Sequence, residues 1–166
     1  MLRGSQTPHL AKMVHLALER DVFIAAGAVI NLIEKRRELC IDGQLNGRPQ
    51  LEADWVVELE KDLTPVRMEG AAGGFAILWG EKKIKVVTDW EAGRRRFNAI
   101  INGEDVVFEV DRLPLGYKLS HHGRSADVKI YTPMAARLAT HMIEVAPPDT
   151  SKMLLCPMPG LVVRVE

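Results

Sequence analysis

The sequence predicts an α+β fold in which an antiparallel β-barrel of about eight strands wraps one long central α-helix. Three observations carry that expectation. A proline-free run near the N-terminus is apolar at nearly every angle around a helical axis, the apolar period then changes from 3.6 residues to 2, and the period-2 segments are joined by turns so short that only antiparallel pairing is open to them. A sheet with one apolar face needs a cover, and a helix apolar on all sides needs a sheath. Each solves the other's burial problem, and closing the sheet removes its edges.

The helix begins at Thr7-Pro8, with Thr7 as N-cap and Pro8 at the first helical position, where a missing N–H costs nothing. The next proline lies beyond residue 39, so a helix is expected over 8–39. At ~1.5 Å per residue its length is about 45 Å. Val22, Phe23, Ile24, Ala25, Ala26, Ala28, Val29, Ile30, Leu32 and Ile33 make the middle apolar all round, with Asp21, Asn31 and Glu34 at or inside its ends. This stretch is shorter than the ~20 apolar residues a membrane span requires. His9, Lys12, His15, Glu19 and Arg20 suit half-buried first turns, and Glu34-Lys35-Arg36-Arg37-Glu38 reads as a solvated end whose cations lie near the negative pole of the helix.

Strands are expected over 54–60, 64–69, 74–79, 83–90, 95–101, 104–112, 116–121 and 125–132. Lys61-Asp62, the glycines of 70–73, Gly80-Glu81, Glu91-Ala92-Gly93, Asn102-Gly103 and Gly123 separate them. Asn102-Gly103 is the strongest hairpin signal, because both central positions of a type I′ turn need positive φ. Lys83-Ile84-Lys85-Val86 and Asp127-Val128-Lys129-Ile130 alternate, which gives each strand one wet and one packed face. A short helix over 134–143 completes a domain of residues 1–145, and 146–156 read as a linker. Pro159-Gly160 then turns into Leu161-Val162-Val163-Arg164-Val165-Glu166, so 157–166 read as the first strand of a second, truncated β-domain.

Composition narrows the function. Lys+Arg and Asp+Glu both number 22, which leaves no net field to draw nucleic acid or an anionic membrane, so neither is expected as a partner. Cys40 and Cys156 lie far apart without metal-ligand spacing, which fits a reducing compartment, and Met1 to Gln6 lacks the apolar core of a secretory signal.

Among candidate sites, the connection 40–53 is long for a domain whose other turns are tight, and it contains Asp42, Gly43, Gln44, Leu45, Asn46, Gly47, Arg48 and Pro49. The plainer alternative is a simple crossover. His121-His122 would point to opposite faces of a strand, one imidazole inward and one outward, which makes a poor chelating pair. Gly70-Ala71-Ala72-Gly73-Gly74 lies between strands, with no helix to present amides to a phosphate. Arg94-Arg95-Arg96, beside Asp89 and Glu91, reads as a solvated turn, and Trp55, Trp79 and Trp90 read as barrel packing. No Ser, Cys or His stands in a nucleophile–base arrangement, so no catalytic, cofactor-binding or metal-binding residue is assigned.

Cys156-Pro157-Met158-Pro159-Gly160 and the apolar run after it resemble the opening of the biotin carrier domain of biotin-dependent carboxylases. The approach Ala146-Pro147-Pro148-Asp149-Thr150-Ser151-Lys152-Met153-Leu154-Leu155 is similar to the one in the propionyl-CoA carboxylase family of acyl-CoA carboxylases. Gly43-Gln44-Leu45, Trp55-Val56-Val57 and the order of elements extend the resemblance over nearly the whole chain.

The resemblance implies a domain that joins biotin carboxylase, on the same alpha subunit, to the carboxyltransferase beta subunit, with the loop at 40–53 as a hook-like contact. It also implies a ligase holoenzyme using biotin, ATP and a divalent metal, all held outside this segment, in a bacterial cytoplasm or mitochondrial matrix. The carrier's Ala-Met-Lys-Met motif does not occur here. On the residues alone, a free-standing barrel that binds a small apolar ligand is the alternative, although a helix in the lumen leaves little space for a guest.

Overall fold

The computed structural model describes residues 7–41, 51–71 and 73–142, with side chains from residue 19 onward. Helix α1 (Thr7–Leu39) is followed by strands β1 (Asp54–Leu59), β2 (Asp62–Ala71), β3 (Gly74–Trp79), β4 (Lys82–Thr88), β5 (Arg96–Ile101), β6 (Glu104–Leu113), β7 (Gly116–His121) and β8 (Arg124–Tyr131), and by helix α2 (Pro133–Ala139). The eight strands pair in chain order as an antiparallel meander, and β8 returns to β1 to close the barrel.

Alternation in the sequence becomes inside and outside. Trp55, Val57 and Leu59 on β1, Phe97, Ala99 and Ile101 on β5, and Val106, Phe108 and Val110 on β6 are all buried. Every residue of α1 from 23 to 32 is buried as well, close to three turns with no solvent-facing side. Complete burial of each large aliphatic or aromatic side chain contributes about 1.5–3 kcal/mol, so α1 is held by its surroundings rather than by helix propensity. Phe23 meets Phe108 edge-on at 5.0 Å between ring centres, and Trp90 closes on Phe97 at 5.9 Å. The helix lies closest to β8, where a Cβ on Gly27 would stand 2.6 Å from Val128 Cγ1; no larger residue fits without displacing the Val128 side chain.

The structure shifts several boundaries. The first hairpin turns at Glu60-Lys61, with φ of 54° and 71°, and not at Lys61-Asp62, because Asp62 already pairs with Leu59; no glycine marks the place. Asn102-Gly103 turns as expected, with φ of 51° and 93°. Strand β2 tolerates Pro65 because pairing with β3 begins only at Arg67. Strand β4 ends at Thr88, and Trp90 leaves the ladder to donate its indole N–H to the Arg94 carbonyl at 2.9 Å. Helix α2 runs only to Ala139, starting from Thr132, whose hydroxyl accepts the Ala135 N–H at 3.2 Å. The linker 146–156 and the segment 157–166 lie outside the described residues.

The two ends of the barrel are built differently. Three successive residues of α1 are tied to three separate turns at the end where the helix enters: Glu19 to Arg124, Arg20 to Asp62 and Asp21 to Lys82. The far end, from which α1 leaves and beside which α2 sits, carries the candidate site.

Candidate partner-docking end of the barrel

The last turns of α1 form only in part the solvated end that the charge run implied: Arg36 and Arg37 are exposed, whereas Glu34 is drawn into the barrel mouth. Glu34, with its side chain 14% exposed, accepts a hydrogen bond from the Tyr117 hydroxyl at 2.9 Å and lies 3.5 Å from the Arg112 guanidinium. Burial, then the neighbouring Glu34 charge, pushes the Tyr117 hydroxyl far above the ordinary phenol range, so it remains a donor. Arg36 stacks over the Phe75 ring at 5.1 Å, Arg37 donates to the Ala92 carbonyl at 3.4 Å, and Lys35 pairs with Glu38 at 2.7 Å. The barrel rim captures Glu34, Arg36 and Arg37, contacts that spacing along one helix cannot reveal, whereas Lys35–Glu38 is a pair three residues apart on α1 itself.

Both stems of the connection after α1 are fixed. On the outgoing side, the Cys40 and Ile41 N–H groups donate to the Arg37 and Glu38 carbonyls at 3.0 and 3.1 Å. On the returning side, the Trp55 indole donates to the Glu52 carbonyl, and the Met68 N–H donates to that of Ala53, both at 2.8 Å. Asp42, Gly43, Gln44, Leu45, Asn46, Gly47, Arg48 and Pro49 lie outside the described residues. Their stems Ile41 and Leu51 are exposed.

Exposed apolar side chains gather at this end. Leu115 is 66% exposed at the β6–β7 turn, and Met134 and Leu138, four residues apart, stand exposed on α2 while Ala136 between them is buried. Met142 beyond the helix is exposed as well. Residues three or four apart share a helix face, so α2 packs its alanine side on the barrel and turns a methionine–leucine side outward. Below lies a cavity of about 370 Å³ bordered by Asn31, Glu34, Trp55, Leu115, Tyr117 and Ala135. Asn31 is 7% exposed, and its Nδ2 has no hydrogen-bond partner among the described residues. Leaving such a donor unsatisfied costs about 1–3 kcal/mol.

Residues 23–144 match the family model described as the propionyl-coenzyme A carboxylase BT domain. The chain belongs to that family. The propionyl-CoA carboxylase alpha chain of Ruegeria pomeroyi is 34% identical to it over 148 residues, which cover 89% of this chain and 22% of that protein. The chain thus spans less than a quarter of the length of the relative it matches. The BT domain is therefore a barrel with its helix inside, the architecture expected from the residues and from the resemblance.

The remaining sequence candidates separate. His121 ends β7 with its ring 4.7 Å from that of Phe108, whereas His122 has left the strand for the turn, at a φ of 47°, and its exposed ring lies 4.0 Å from that of His121. The two rings therefore meet at a turn, tilted by 59°, and do not straddle the sheet. Among the described residues no group of three His, Cys, Asp or Glu is arranged to hold a metal ion, and no helix is long and apolar enough to cross a membrane. In the arginine run, Arg94 pairs with Glu91 at 2.8 Å, and Arg95 reaches Glu109 and Asp111 at 3.1 and 3.0 Å.

Sequence reasoning missed the Asn31 cavity and the Glu34–Tyr117–Arg112 group. The available signal was Asn31 itself, a lone amide in an apolar stretch.

Proposed function

We propose that this BT domain couples the biotin carboxylase part of an acyl-CoA carboxylase alpha subunit to the carboxyltransferase beta subunit, and that it docks the beta subunit through the end of the barrel from which α1 leaves. The observation that carries the reading is the concentration of exposed apolar side chains on the loop stems, the β6–β7 turn and α2, at the end opposite the ion-paired turns. In this reading residues 1–145 form the coupling domain, the loop at 40–53 is the hook, 146–156 are the linker and 157–166 open the biotin carrier.

The reaction, carboxylation of biotin with ATP and bicarbonate and transfer to an acyl-CoA, belongs to other parts of the cytoplasmic or matrix assembly. The residues here do not fit those groups: the described residues hold no metal-ligand cluster, and the sequence lacks the Ala-Met-Lys-Met setting of a biotinyl lysine. The domain's contribution to rate is positional, because a fixed span between two sites keeps the effective concentration of a tethered carrier high at both. The alternative of a ligand-binding barrel is disfavoured by α1, which fills the lumen.

Deleting residues 46–51 from the complete alpha subunit tests the assignment. The expected result is an unchanged circular dichroism spectrum with capture of the beta subunit weakened about tenfold or more, the loss of roughly 1.4 kcal/mol of contact. Undiminished capture would refute it.

A further inference from the structure

The outer wall of the barrel carries a second apolar surface, on β4, β5 and β6. Val87 stands opposite Ile100 in the β4–β5 ladder; Ile100 pairs with Asp105 and Asn98 with Val107 across β5 and β6, which makes Ile100 and Val107 diagonal neighbours. Ile100 is 43% exposed and Val107 46%. Val87, Ile100 and Val107 border a groove of about 500 Å³. It lies where the β4–β5 ladder ends after three pairs, and there the Thr88 hydroxyl takes over by donating to the Asn98 carbonyl at 2.6 Å.

The ionisable groups that border the groove are both carboxylates. Asp89, just past β4, and Asp105, on β6, stand on opposite sides of β5 and have no side-chain ion pair or hydrogen bond among the described residues. The exposed cations next along the strands, Lys85 and Arg96, pair with neither. An apolar floor flanked by two unpaired carboxylates fits an apolar side chain flanked by lysine or arginine. It does not fit a second copy of the same wall, because a two-fold contact would set like charges against each other.

We infer that this groove seats the biotin carboxylase part of the alpha subunit, through a surface segment whose apolar side chain enters between flanking lysine or arginine residues. The inference rests on the coupling reading, in which the domain holds two bodies and the exit mouth takes the beta subunit. Outside that mouth, the exposed large apolar residues among the described ones are Leu63, alone on β2, and the neighbours Ile100 and Val107. Ile100 is also close to the Asn102-Gly103 turn, which shares its end of the barrel with the turns that bind Glu19, Arg20 and Asp21, away from the exit mouth. Two bodies seated on separate surfaces do not compete, and the wall contact fixes the orientation of one relative to the other.

The test uses the complete alpha subunit, alone and with the beta subunit. A zero-length carbodiimide joins a carboxylate to an amine in contact with it, and mass spectrometry of the wild type is expected to find Asp89 or Asp105 joined to a lysine of the biotin carboxylase part. X-ray scattering supplies the second arm, which decides alone where the flanking cations are arginines. Ile100→Lys with Val107→Lys, and separately Asp89→Lys with Asp105→Lys, are expected to raise the radius of gyration of the alpha subunit. All four side chains are exposed, so the thermal midpoint and capture of the beta subunit are expected to stay at wild-type values.

Cross-links from Asp89 and Asp105 to the beta subunit or to a second alpha subunit would overturn the inference, as would a radius of gyration that neither double variant moves. If either result accompanies loss of capture on deleting 46–51, the wall contact fails while docking at the exit mouth survives. Capture that persists after that deletion removes the coupling reading and the inference with it.

Discussion

The two mouths of the barrel solve opposite problems with the same helix. At the entry mouth Glu19, Arg20 and Asp21 reach Arg124, Asp62 and Lys82, and Arg124 also binds Glu60 at 2.6 Å and lies over the Phe23 ring at 5.7 Å. Such surface pairs contribute about 0–1 kcal/mol each, so their value lies in fixing the helix's axial and rotational position rather than in stability. At the exit mouth the charges turn inward on Glu34, and apolar side chains are left facing water. A monomer gains nothing from exposing methionine and leucine on α2, whereas a docking surface needs them. Among the described residues one mouth is tied to the helix by ion pairs; in the proposed reading the other is completed by a partner.

The contrast can be broken most severely just inside the entry mouth. Phe23→Ala removes the ring that joins Phe108 to α1, and is expected to cost about 3–5 kcal/mol in denaturant unfolding. A loss under 1 kcal/mol would mean that the lumen collapses to refill the space.

Tyr117→Phe at the exit mouth is expected to cost less, about 1–2 kcal/mol, since it deprives Glu34 of a donor while keeping the ring. The same variant sharpens the pH behaviour. Burial and Glu34 raise the Tyr117 pKa, a hydrogen bond to Glu58 raises that of Lys129, and burial raises that of Tyr131. Each group holds its proton more tightly in the folded state. Their stabilisation is therefore complete below pH of about 10 and drains away as the pH climbs past the unfolded-state values. Denaturant midpoints followed from about pH 8 to about pH 11 should fall at the alkaline end for the wild type and less steeply for Tyr117→Phe. Equal slopes would remove Tyr117 from the explanation.

The smallest stability change is expected on α2. Met134→Ser with Leu138→Ser should alter unfolding by no more than about 0.5 kcal/mol, because both side chains already face water, yet capture of the beta subunit should weaken in a pull-down. Unaltered capture would leave the apolar face of α2 without the role given to it.

Much of the barrel could be read beforehand because its causes are local. Asn102-Gly103 announces its own hairpin, and Thr132-Pro133 announces the start of α2. Glu60-Lys61 gave no such notice: neither residue is a glycine, and the register between Leu59 and Asp62 forces both into positive φ. Trp90 reads as the end of a strand by its β-propensity, until the loop to Arg94 offers its indole a carbonyl. The proposed docking end was half legible. Its loop stood out by length, but Leu115, Met134 and Leu138 are ordinary residues in sequence, and only the folded chain brings them to one mouth.

By itself the amino-acid order determined that a helix apolar on every side would sit inside a sheet apolar on one, because period and turn chemistry act over a few residues and burial admits few ways to reconcile them. What the tertiary structure alone decided is which groups meet across the lumen and its mouths: Gly27 against Val128, Tyr117 on Glu34 and Asn31 bordering a cavity. Those encounters join residues some eighty to a hundred positions apart, or a side chain to an empty space, and their energies depend on distance and solvent exposure that exist only once the barrel has closed.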